Sequence, residues 1–105
     1  MIETRPLNAA TLLIVVGGTA DREVALGVQR AILQGVQAGR TSAIVDLSEV
    51  ADVRPGLLGV LLRIRRRLLS IGGTLTVVSP VPVGTLFGVA AAEEILPRLA
   101  ALPET

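Results

Sequence analysis

At 105 residues the chain suits one domain with one hydrophobic core. It has neither cysteine nor histidine, which rules out disulfides, thiolate metal sites and imidazole catalysis. All ten basic residues are arginine, nine acids oppose them for a net charge of +1, and the single aromatic, Phe87, offers no stacking platform for nucleic acid.

Residues 1–7 alternate polar and apolar and read as an edge strand, followed by a turn at Asn8-Ala9-Ala10. Residues 11–16 are a continuous apolar run stopped by Gly17-Gly18, the pattern of a strand covered on both faces. Asp21 is a suitable N-cap for a helix over 22–38, and Glu23 is an acid in its first turn, where the helix dipole favours negative charge. Val24, Val28, Ile32 and Val36 form its buried stripe, and Gly39 ends it. A second buried strand covers 43–47, then a polar loop, then a helix over 55–70 with Pro55 at the first helical position. Leu57, Leu61, Ile64, Leu68 and Ile71 are its inward stripe, and Gly72-Gly73 closes it. A third parallel strand spans 74–78. A third helix opens at Ser79-Pro80 with Val83, Leu86, Phe87 and Ala90 inward, and 93–96 add a helical turn before Pro97.

This order implies a single α/β domain over residues 1–105, with a mixed sheet of about four strands packed with three to four helices. Mean hydropathy is high, +0.66, and residues 68–92 carry no charge. Gly72-Gly73 and Ser79-Pro80-Val81-Pro82 cut that run into strand-sized and helix-sized pieces, so no transmembrane segment is expected. No signal peptide is visible at the N-terminus, and the expected location is cytoplasmic.

Four pieces of sequence, in order, resemble the STAS family, the small domain of anti-sigma-factor antagonists and sulfate-transporter tails. They are Gly18-Thr19-Ala20-Asp21, Val45-Asp46-Leu47-Ser48 with Val50, Leu58-Gly59-Val60-Leu61-Leu62, and Gly72-Gly73 followed by a strand and Ser79-Pro80. The resemblance implies a bacterial signalling module that regulates transcription through protein–protein contact, without enzymatic activity and without a cofactor. It also implies an anti-sigma, kinase-like partner that meets the strand-end loop and the start of the second helix. An alternative within the same family is the accessory subunit of a phospholipid-trafficking ABC transporter, whose partner is an ATPase. The segment Ile95-Leu96-Pro97-Arg98 is similar to that subunit's ending, and the long final helix of typical antagonists is not expected here. A third is a scaffold of a larger stress-signalling assembly, and a homo-oligomer is compatible with all three.

Family members switched by phosphorylation carry a serine or threonine before the second helix, and the matching position here is Pro55, or Arg54 with a one-residue gap. Neither side chain accepts phosphate. The expected partner-binding residues are Asp52, Arg54, Pro55, Gly56, Leu58, Leu62 and Arg63. Arg54 reverses the charge usual in that loop and favours an acidic partner surface. Arg63, Arg65, Arg66 and Arg67 fit a solvated outer helix face, with acidic-partner or phosphate binding the sharper reading. Leu58, Leu62 and Leu69 form a row beside the inward stripe that fits either core or interface. Asp46 and Asp52 have no third ligand and no base beside them, so no metal site is expected, and Asp52 or Ser48 is the natural cap of the loop. Gly17-Gly18 lacks the third glycine of a dinucleotide fingerprint and the lysine of a phosphate loop.

Overall fold

The computed structural model describes residues 1–102, so the last three positions of the expected 1–105 domain lie outside the described residues. Strand β1 (Ile2–Pro6) pairs antiparallel with β2 (Thr11–Ala20). Helix α1 (Arg22–Gln37) then leads to β3 (Ser42–Val53), and helix α2 (Pro55–Ser70) to β4 (Leu75–Val78). Two short helices, α3 (Val83–Phe87) and α4 (Ala92–Ile95), precede the two-residue β5 (Arg98–Leu99). The described residues form one five-stranded sheet in the order β1-β2-β3-β4-β5, with β2 to β5 parallel.

The core lies between one sheet face and the two long helices. Ile14, Val16, Val45, Leu47, Leu75 and Val77 point the same way at strand period two, and Val28, Ile32, Leu57, Leu61 and Leu68 meet them. Each fully buried side chain of this kind contributes about 1.5–3 kcal/mol. The opposite side of the strands is also covered at its centre, where Leu13 is fully buried.

Helix α1 begins as its sequence requires, with the Asp21 carboxylate accepting from the Val24 N–H at 3.0 Å. Its buried stripe is Ala25, Val28, Ile32 and Gly35, with Val24 and Val36 half-buried on the flanks. The stripe is displaced because Gly35 brings the helix close to the sheet: a Cβ there would stand 3.1 Å from the Leu12 side chain. On α2, Val60 joins the stripe, while Ile71 leaves it. Ile71 is the C-cap, 45% exposed, because the chain turns away at Gly72 with φ of +82°.

Three further expectations are corrected. The α3 helix stops at Phe87, where Gly88 adopts φ of +69°, and this leaves Ala90 exposed instead of inward. Strand β5 was not expected; it adds to β4 through Ser79 N–H to Leu99 C=O at 3.0 Å, and the Arg98 guanidinium donates to the Ser79 carbonyl at 2.8 Å. The polar loop expected after residue 47 is strand: β3 continues to Val53, beyond the end of its pairing with β4 at Asp46.

Candidate functional site

The strand-end segment and the head of α2 are built from the β2–β3 pair. Val15 faces Asp46 and Gly17 faces Glu49, so β3 spends one residue more than β2 over that step. A second extra residue falls between the Gly18–Val50 and Thr19–Asp52 pairs. These irregularities have the character of β-bulges, which twist a ribbon and re-aim its side chains. The first is held by Asp46, only 6% exposed, whose Oδ1 accepts from the Ser48 N–H at 2.9 Å and the Ser48 hydroxyl at 2.6 Å. The group that holds this segment is therefore Asp46 with Ser48 as its donor. Asp52 instead stands in an exposed ion pair with Arg54 at 3.4 Å.

The Arg54 N–H donates to the Ala20 carbonyl at 2.9 Å and ties the ends of β2 and β3 together just before the helix starts. Arg54 is the N-cap of α2 and has extended backbone without a side-chain cap; Pro55 occupies the first helical turn. Leu57, fully buried, anchors this turn into the core. Around that anchor Asp52, Arg54, Pro55, Gly56 and Arg63 are all exposed. Gly56 and Arg63 lie on one helix face with Gly59 between them, and a Cβ on either glycine would meet nothing within 4 Å. The backbone here is bare.

The leucine row divides. Leu58 and Leu62 are half-buried and pack against the core cluster, whereas Leu69 is 47% exposed. The structure thus brings Asp52, Arg54, Pro55, Gly56 and Arg63 to one surface, with Leu58 and Leu62 at its core-facing border.

One contributor escaped the sequence reading. A groove of about 430 Å³ runs beside the α2 head, and its second wall is α1, with Arg22, Leu26 and Gln29 facing Gly56, Val60 and Arg63. Nothing in the α1 sequence marks these residues, because only the packing of two parallel helices creates the groove. Among the described residues no cluster of acids could hold a metal ion, and no helix is long and apolar enough to cross a membrane.

No family model matches the sequence, and no curated protein sequence matches it. Solved structures do match its fold. The anti-sigma-factor antagonist SpoIIAA in its unphosphorylated form superposes with a TM-score of 0.79 at 17% identity, over 95% of this chain and 89% of that one. An anti-sigma-factor antagonist from Mycobacterium paratuberculosis gives 0.79 at 19% identity, over 97% and 86%. The phosphorylated form of the Bacillus SpoIIAA gives 0.73 at 16% identity, over 95% and 92%. The chain has the STAS fold. The SpoIIAA structures are of an unphosphorylated and a phosphorylated form, while in this chain no serine, threonine or tyrosine lies between Ser48 and Ser70. At the head of α2 stand Arg54, the N-cap, and Pro55 in the first turn, and neither carries a hydroxyl.

Proposed function

We propose that this chain is a protein-binding regulator of the anti-sigma-factor-antagonist type, without catalytic activity, that docks its partner through the end of β3 and the head of α2. The observation that carries this reading is the exposure of Asp52, Arg54, Pro55, Gly56 and Arg63 around the end of β3 and the head of α2, in a fold shared with such antagonists. The site has the properties of a contact surface: a buried anchor at Leu57, bare backbone at Gly56 and Gly59, and charged side chains at the rim. The docking is not switched by hydroxyl phosphorylation at the α2 head, because Pro55 holds that position.

The partner in this reading is an anti-sigma protein with an acidic contact surface, since Arg54 and Arg63 flank the bare turn. Replacing Arg54 by Glu is expected to weaken capture of the cognate anti-sigma protein at least about tenfold, consistent with like charges meeting across an interface. Surface plasmon resonance with the purified pair measures it, and unchanged affinity refutes the role of the loop. Selective capture of a transporter ATPase instead would transfer the same surface to the ABC-transporter reading. Incubation with the anti-sigma kinase and ATP, read by intact mass and fragment mapping, is expected to add no phosphate within residues 48–60.

A further inference from the structure

Beyond the α2 head, the groove between the long helices continues. Gln29 and Arg63 line both its first stretch and a second of about 510 Å³, whose walls are Leu33 on α1 and Ile64, Arg66, Arg67 and Ser70 on α2. The trough therefore follows both helices along most of their length, with apolar side chains in its floor and arginines on its rim. Each helix is 16 residues, about 24 Å at the α-helical rise.

The charges around it are one-sided. Arg22, Arg63, Arg66 and Arg67 line it, Arg30 and Arg65 lie elsewhere on the same helices, and Glu23 is the only acid on either helix. The one ion pair among the described residues joins Arg54 to Asp52, so none of these helix arginines has a carboxylate partner there. Guanidinium groups left unpaired along an apolar trough match a ligand that offers carboxylates at helical spacing over a hydrophobic stripe.

We infer that the α1–α2 trough is a second docking site, for an acidic amphipathic helix of a partner protein. A duplex nucleic acid does not fit a concave channel between two helices, and there is no aromatic side chain in it to stack a single strand. A membrane surface calls for several apolar side chains that protrude beyond the basic ones, whereas Val60 and Ile64 on the α2 wall are each 5% exposed and Leu26 on α1, at 44%, stands out alone. The trough shares Gly56 and Arg63 with the proposed loop contact, whereas Arg66 and Arg67 line only its far stretch and so report on the trough alone.

The test uses a fluorescein-labelled helical peptide of about 16 residues, with glutamates on one face and leucines on the other, sized to the trough. Fluorescence anisotropy at low salt is expected to show saturable binding to the intact chain that weakens as salt rises. Arg66→Glu with Arg67→Glu is expected to weaken it at least about tenfold, and Arg66→Gln with Arg67→Gln to a smaller extent. Both positions are exposed, and circular dichroism checks each fold; should the Glu pair unfold, the Gln pair decides. Replacing the peptide leucines by alanine should also reduce binding. Equal binding by wild type and charge variants overturns the inference, as does tighter binding of phosphatidylserine-containing vesicles or of duplex DNA than of the peptide. Loss of peptide binding in the Arg66/Arg67 variants alone, with Arg54→Glu unaffected, separates this site from the first.

Discussion

Gly59 lies inside α2 and Gly73 just after it, and their surroundings give the same substitution opposite outcomes. Gly59 lies in the interior of α2 with ordinary helical backbone, and a Cβ there meets no atom within 4 Å. Gly59→Ala is therefore expected to raise stability by about 0.5–1 kcal/mol through reduced backbone freedom in the unfolded chain. Gly73 lies directly against the Thr41 carbonyl, so Gly73→Ala must push the β3 entry away from the turn after α2. A cost of about 1–3 kcal/mol is expected from that overpacking. Urea unfolding of both variants should move the midpoint in opposite directions. At the same scale, Asp46 shows why a buried acid need not imply chemistry: both its hydrogen bonds go to Ser48, two residues on, and serve to shape a strand.

Helix α2 is the element in which periodicity was most informative, and also where it overreached. Leu57, Leu61, Ile64 and Leu68 fall on the buried stripe as the 3.6-residue repeat requires. Ile71 continues the arithmetic but not the helix, since the turn at Gly72 carries it to the surface. The flanking row could not be assigned from spacing alone, because a residue at the edge of a stripe is buried or not according to the sheet beneath it. Leu58 and Leu62 reach the core and Leu69 does not. Leu58→Ala and Leu62→Ala should thus each cost about 1–2 kcal/mol, the value of a partly buried leucine. Leu69→Ala should stay within about 0.5 kcal/mol, and thermal unfolding of the three variants separates them. The polar residues Ser48, Glu49 and Asp52 hid the length of β3 for a related reason: a two-stranded ribbon beyond the core can be polar on both faces, so no alternation reveals it. β5 was illegible because two residues carry no period at all.

Over the whole molecule, a net charge of +1 conceals a strong separation of charge. Six of the ten arginines lie on α1 and α2, which carry one acid, Glu23, while Glu3, Asp46, Glu49, Asp52, Glu93 and Glu94 lie on β1, β3 and α4. Retention on a charged matrix depends on the local patch that faces it more than on the total. At pH 7 and low salt the chain is expected to bind a cation exchanger more tightly than a net +1 protein with dispersed charge, and Arg66→Glu with Arg67→Glu to elute early. Elution of both proteins at the same salt would contradict the asymmetry. The sheet class and the element order as far as β4 were readable because the central strands are continuous apolar runs and the long helices carry the 3.6-residue repeat. The trough was not, since it belongs to two helices distant in sequence and exists only in their packing.

The ribbon formed by the ends of β2 and β3 has a consequence for solvent contact. Past Asp46, β4 no longer accompanies β3; the Ser48 N–H is held by the Asp46 carboxylate, and amide hydrogens on that flank among residues 49–53 have no neighbouring strand to donate to although they sit in a strand. In heavy water those hydrogens should trade for deuterium far sooner than the amides of Ile44 and Val45, which lie between two neighbouring strands. A bound protein that laid its own backbone along that flank would slow this trade, residue by residue, and mass spectrometry of the exchanged peptides would locate it.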